Sequence, residues 1–342
     1  MNKFLCAICL LPSLVYGQIG GRNVYDFLNL APSARLAALG GTNVSIYDDD
    51  VNMAYQNPAL LNDSSDRWMS VNFCNYLSDI SFGYVAYSHY LPQIGSLHGS
   101  VQYSNYGKFV QADEVGSQLG TYSASDLAIT IGLSRAYNRF HYAANLKFIS
   151  SNISAFSSTG LAVDLGGSYY SKDKLFGAGI VCRNLGVQLS KYTPTGDREK
   201  LPTQLVAGIS YKLAHMPLRF SVTATNLETP VLIFTDPNAQ PTYDLAGNLI
   251  PPKKRIGDKI ASHFIFSGEF LLGKNLRLRT GYNYLRRLEL KSQGRSGLSG
   301  FSFGAGIRVS HFRFDYAYSS FGILRNAHQF SISTGLNSWK KK

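Results

Sequence analysis

The chain is poor in charge, in cysteine and in long hydrophobic runs. Only 16% of its 342 residues are Asp, Glu, Lys or Arg, against about 25% in an average soluble domain. That is too little charge for the surface of an ordinary cytosolic enzyme of this size. Four Cys are too few for a disulfide scaffold. Past residue 17 nothing approaches the ~18–20 consecutive apolar residues of a transmembrane helix, which argues against a helical membrane protein. Disorder is argued against by a content of 45% hydrophobic and 13% aromatic residues, with 22 Tyr and 20 Phe. What these exclusions leave is a β-rich protein whose apolar residues are spread thinly, about one position in two.

Met1-Asn2-Lys3, the apolar stretch Phe4 to Tyr16 and the small residues Val15 and Gly17 at −3 and −1 read as a secretory signal peptide over 1–17. It takes Cys6 and Cys9 with it. The two remaining cysteines, Cys74 and Cys182, lack metal-ligand spacing and are read as small hydrophobes.

Residues 18–66 form a compact mixed segment without alternation. Pro32 to Leu39, ended by Gly40-Gly41, predicts a short helix. A second helical turn is expected near Val51 to Tyr55, preceded by Asp48-Asp49-Asp50 and broken by Asn57-Pro58-Ala59. The three aspartates suit helix capping and pairing with an arginine better than a cation site, because the alternating ligands of a calcium loop are missing.

From Arg67 to Trp339 the period changes to two. Leu127, Ile129, Ile131 and Leu133 alternate with Ala128, Thr130, Gly132 and Ser134, and Phe312, Phe314, Tyr316 and Tyr318 with Arg313, Asp315, Ala317 and Ser319. Fourteen such segments are expected, near 67–76, 79–90, 95–107, 123–137, 140–151, 158–171, 174–186, 202–213, 217–227, 259–272, 275–288, 298–310, 311–319 and 326–338. Even-to-odd connections are tight. All the long ones (108–122, 187–201, 228–258 and 289–297) run odd to even. Short turns at one end and long loops at the other are the arrangement of an outer-membrane barrel. A secreted β-sandwich would also alternate, but it should put charges rather than Gly, Ser, Ala and Thr on its polar face. The predicted fold is therefore all-β: a fourteen-stranded antiparallel transmembrane barrel over 67–339, with 18–66 as a plug. An even strand count puts both termini at the short-turn, periplasmic end, and the plug there with them.

No residues form a nucleophile elbow, a phosphate loop or a metal-spaced His set, so neither an enzyme nor a cofactor is expected. Arg219, Arg277, Arg279, Arg308 and Arg313 face inward by the alternation, together with Asp126, Asp164, Glu269 and Asp315. Pairing with one another or with the plug is their expected role. The net charge is +12. Part of the excess falls in long loops as Lys253, Lys254, Arg255, Arg286, Arg287, Lys291 and Arg295, beside the apolar run Val231-Leu232-Ile233-Phe234 in a Pro-rich loop. External placement argues against nucleic acid. It favours outer-membrane lipid, anionic lipopolysaccharide or an extracellular protein as partner.

The plug carries a family resemblance. Ser33-Ala34-Arg35, then Leu39-Gly40-Gly41-Thr42, an acidic stretch and Asn57-Pro58-Ala59 resemble the N-terminal region of FadL-like barrels. More closely they resemble the PorV/PorQ family of outer-membrane proteins of the Bacteroidetes type IX secretion system. The opening Asn23 to Leu30 directly before Ala31-Pro32-Ser33 is similar to the PorQ branch. The resemblance implies a non-enzymatic anchor that holds an extracellular PorZ-like protein beside the PorU/PorV attachment complex, with Ser33, Ala34, Arg35, Asn57, Pro58 and Ala59 as plug residues. The alternative is a FadL-like transporter of hydrophobic small molecules.

Overall fold

A computed structural model describes residues 23–76, 80–233, 256–290, 297–321 and 326–339. Within it the period-two stretches become fourteen strands: β1 (Trp68–Asn75), β2 (Ser81–Leu91), β3 (Gly95–Ala112), β4 (Gln118–Tyr137), β5 (Phe140–Ile153), β6 (Phe156–Tyr170) and β7 (Phe176–Ser190). The second half comprises β8 (Gln204–Lys212), β9 (Leu218–Ala224), β10 (Phe264–Leu272), β11 (Leu276–Asn283), β12 (Phe301–Val309), β13 (Phe312–Ser320) and β14 (Asn326–Gly335). Each pairs antiparallel with its sequence neighbours, and β1 closes on β14 with Ser70 opposite Ser333, giving one closed barrel. Among the described residues no helix is long and apolar enough to cross a membrane; the strands cross instead.

The alternation sorts the two faces. Val71, Phe73, Ile131, Leu165 and Ile180 point outward and are largely exposed, while Ser70, Asn72, Thr130, Asp164 and Val181 point into the lumen and are buried. Such a stripe of bare aliphatics would aggregate in water; hydrocarbon is the solvent that matches it. Aromatic side chains gather near the short-turn end on the outer face, where Phe140 lies 5.0 Å from Tyr169 and Phe312 5.4 Å from Trp339. Their amphipathic rings suit a membrane interface.

The wall is uneven in height. β3 and β4 are 18 and 20 residues long, whereas β9 has seven. The predicted loop 108–122 is accordingly mostly strand, with only a five-residue turn held by Asp113, whose Oδ1 accepts from the Val115 and Ser117 amides. β7 likewise runs on to Ser190. On the low side two predicted strands are shorter than expected because helices replace their ends. Residues 256–261 form helix α3, so β10 starts at Phe264. Asn283 Oδ1 accepts from the Arg286 amide at 3.0 Å and starts a helix over 284–289, the fourth in chain order (α4), which ends β11 well before 288. β14 stops at Gly335 in a 3-10 turn.

Residues 23–66 fill the lumen. The two predicted helices are present as α1 (Ala34–Ala38), capped by Ser33 Oγ, and α2 (Met53–Gln56). Two glycines let plug and wall backbones touch. A Cβ on Gly281 of β11 would collide with Leu39 and Gly40, and one on Gly179 of β7 with the Val44 carbonyl. The plug does not share the short-turn end with the C-terminal strand along its whole length. The Val24 amide donates to the Lys200 carbonyl in the long β7–β8 connection at 2.9 Å, so the segment threads the lumen from the long-loop end down to Trp68. Strand-count parity locates only the residue that enters β1; it says nothing about where the plug begins.

Candidate functional site

The centre of the lumen is an ionic lock between plug and wall. Arg35 of α1 is 1% exposed and spends all three nitrogens on carboxylates. Nε and Nη2 reach Glu269 at 3.0 Å each, Nη2 also reaches Asp48 at 2.6 Å, and Nη1 reaches Asp48 at 3.0 Å and Asp50 at 3.2 Å. Glu269 of β10 is shared with Arg219 at 2.9 Å and Arg279 at 2.9 Å, and Arg279 continues to Asp315 at 2.5 Å. Arg313 holds Asp49 at 2.8 Å. Four arginines and five carboxylates thus meet across four strands and the plug: Arg35, Arg219 and Arg279 share Asp48, Asp50, Glu269 and Asp315, and Arg313–Asp49 stands beside them as a separate pair. The Asp48–Asp50 stretch is occupied by guanidinium groups, as the pairing reading expects; Asp50 Oδ1 accepts from the amide of Asn52 at 3.0 Å, but the helix cap itself, Asn52, makes no side-chain cap bond. Burial raises the Asp48 pKa, but Arg35 and Arg219 outweigh it and hold the carboxyl well below its usual range. Arg35 is correspondingly held protonated despite its burial.

A second cluster sits toward the β5–β7 wall. Lys147 and Asp164, both fully buried, pair at 2.8 Å, with the Lys147 ammonium 4.7 Å from the Tyr55 ring centre. Arg183 bonds to Gln56 of the plug and to Gln204. Sequence reasoning placed Asp164 inward but named neither Lys147 nor Arg183, although Lys147 occupies a lumen position of an unbroken alternation. Arg183 follows Val181 in the same alternation, and a bulge begins directly after it. The ladder skips from Leu165–Cys182 to Val163–Leu185, and Asn184 adopts φ 56°, so two consecutive residues face inward. The Asn184 amide donates to Asp164 Oδ1 at 2.8 Å in place of a ladder bond.

The motif residues act as fasteners. Ala34 N–H donates to Ser331 Oγ at 2.8 Å. Asn57 Nδ2 donates to the Val44 carbonyl at 3.0 Å and to the Gly167 carbonyl of β6 at 3.3 Å, while its Oδ1 accepts from the Ala59 amide, capping the turn that Pro58 opens. The candidate partner-binding residues fare differently. Val231, Leu232 and Ile233 lie at the long-loop end, Val231 exposed. Arg286 is not a free loop cation: it turns inward, donating to Ser302 Oγ at 3.2 Å and the Gly40 carbonyl at 3.4 Å, with its guanidinium 4.7 Å from the Phe321 ring centre. The helix that replaced the end of β11 aims it at the plug. Arg287 is half-buried on the same helix. Phe234, Lys253, Lys254, Arg255, Lys291 and Arg295 lie outside the described residues, as does the signal segment.

The class this defines is an outer-membrane-type β-barrel of fourteen strands with a segment of its own chain bound inside it. Within that class the fold is FadL-like. The chain is similar to a deltaS2 mutant of the TodX monoaromatic hydrocarbon channel, at 13% identity over 89% of this chain and 97% of that one, with a TM-score of 0.52. It is also similar to the deltaS2S3 mutant of TodX, at 14% identity over 89% and 98%, TM-score 0.51. A FadL homologue from Pseudomonas aeruginosa matches at 11% identity over 88% and 97%, TM-score 0.50. At such identities the likeness is one of fold. No protein-family model and no curated protein matches the chain.

Proposed function

We propose that the protein is a non-enzymatic anchor in the outer membrane of a Bacteroidetes-type cell, its long-loop end outward, holding an extracellular component of a type IX secretion attachment complex (PorZ-like, beside PorU and PorV). The observation that carries this reading is the lock on the lumen. A small-molecule channel needs an apolar path, and here the passage is filled by a plug ion-paired through Arg35, Asp48 and Asp49 to three strands, β10, β9 and β13. The motifs Ser33-Ala34-Arg35 and Asn57-Pro58-Ala59 support it as the residues of the resemblance. Exposed apolar side chains at the long-loop end, Ile256 and Ile260 of α3 with Leu298 and Val231, supply surface for a protein, and the basic loops would favour anionic lipopolysaccharide beside it. Affinity purification from native membranes, with partners identified by mass, tests the reading. Substituting Ile256 and Ile260 by Asp should release the partner while the barrel keeps its heat-modifiable mobility. Recovery of no surface protein would refute the anchor.

A second reading, transport of a hydrophobic small molecule, has its own support in the fold likeness to hydrocarbon channels, which speaks for it rather than for anchoring. An apolar furrow of about 640 Å³ also opens in the outer face beside the β6–β7 bulge, bordered by Leu133, Leu165, Ile180 and Leu205. Uptake of a monoaromatic hydrocarbon or fatty acid into proteoliposomes distinguishes the two. Uptake that rises when Arg35 is replaced would establish a gated channel.

A further inference from the structure

The short-turn mouth of the barrel carries positive charge that the lock does not use. A cavity of about 600 Å³ opens there between the β8–β9 and β10–β11 turns, and Lys212, Arg219, Lys274, Arg277 and Arg308 border it. Among the described residues Asp48 is the one carboxylate on its lining, and Arg35 and Arg219 already hold that group. Arg277, Lys212 and Lys274 have no side-chain hydrogen bond or ion pair among the described residues. Among the same residues the Arg308 guanidinium meets the Trp68 ring alone, at 5.8 Å from its centre.

The registers bring these cations together. Lys212 stands directly opposite Arg219 across β8–β9, and Arg308 opposite Arg313 across β12–β13. Arg277 pairs with Gly306, two residues from Arg308 on the same face. Like charges directly opposite each other in a sheet are destabilising, and here two such pairs sit on the inward face of one mouth. Arg277, Arg308 and Lys212 are half-buried, so water screens them less than it would on an open loop.

We propose that this mouth is a binding site for a phosphate-bearing anion. Several guanidinium forks and two ammonium groups converging on one concavity match an oxyanion of more than one charge, which forks engage bidentately and lysines as point charges. The site is independent of both functional readings above, since it requires neither a surface partner nor an open lumen. Its ligand is either a phospholipid headgroup reaching round the turns or a soluble phosphorylated molecule.

The test is calorimetric titration of the full-length barrel in detergent micelles with inorganic pyrophosphate, at ionic strength held constant with potassium chloride. Saturable binding is expected, weakened about ten-fold or more in Arg277→Gln/Arg308→Gln and unchanged in Arg135→Gln, which lies at the same end near the β2–β3 turn. Lys274→Gln, on an exposed turn, provides a variant that folds even if the double one does not, with a smaller loss expected. Heat-modifiable mobility reports folding. Repeating the titration in micelles doped with phosphatidylglycerol separates the two sources, because competition identifies a headgroup and its absence a soluble ligand. No saturable binding beyond chloride, or binding unaltered in both Arg277→Gln/Arg308→Gln and Lys274→Gln, overturns the proposal.

Discussion

Replacing Arg35 by Met should unlatch the plug without unfolding the barrel. Three carboxylates lose a partner, but not equally. Glu269 keeps Arg219 and Arg279, Asp48 keeps Arg219, and Asp50 keeps only the Asn52 amide and side chain. Removing one member of a buried ionic network costs about 3–5 kcal/mol. The remaining donors put this case at the low end, about 3 kcal/mol, or roughly a hundredfold in the plug's bound-to-released equilibrium. The wall should be spared, because its ladder is continuous through all fourteen strands without the plug. Hydrogen exchange read by mass spectrometry in micelles would show residues 34–66 exchanging about a hundredfold faster while β3–β7 stay protected. Arg35→Lys should fall between the two, since one ammonium cannot cover three carboxylates. Plug exchange unchanged in Arg35→Met, or loss of heat-modifiable mobility together with it, would refute the idea that this residue latches a separable segment.

Other outcomes follow from the same geometry. The Asp48 carboxyl is depressed in the folded state, so its contribution is present above the unfolded value of about 4 and lost only as pH falls toward the folded one. Plug protection should be flat from about pH 7 to 5 and decline only below about 4. Gly281→Ala forces a methyl group against the Leu39–Gly40 backbone, which should cost about 1–3 kcal/mol of plug binding, measurable in the same exchange experiment. Lys147→Met leaves Asp164 buried without its ammonium and should lower the thermal midpoint of the barrel by the equivalent of about 3 kcal/mol. Cys182, on the outer face, should react with a lipid-soluble maleimide, whereas Cys74, 2% exposed in the lumen, should not; labelling of Cys74 alone would mean the faces are inverted.

Period two is a local property, and so the strands were legible wherever it ran unbroken. Met69, Val71 and Phe73 against Ser70, Asn72 and Cys74 specify both a strand and its faces, and the inward placement of Arg219, Arg279, Arg313, Glu269 and Asp315 followed from the same count. Reading failed where a side chain overrode the period. Asn283 capped a helix that turned the end of β11 into α4, which converted Arg286 from a loop cation into a plug contact. The bulge at Asn184 turned inward a residue that strict alternation puts on the outer face.

The sequence by itself determined strand number, the polarity of each face and the presence of a separate segment at the start, because alternation and its absence need no knowledge of distant residues. Only the tertiary structure decided which charges meet. Arg35 and Glu269 are 234 positions apart, and nothing local distinguishes Glu269 from another inward carboxylate. Closing the sheet brings β9, β10, β11 and β13 around one guanidinium, and that closure makes a lock of the paired groups while leaving Arg277 and Arg308 unpaired at the mouth.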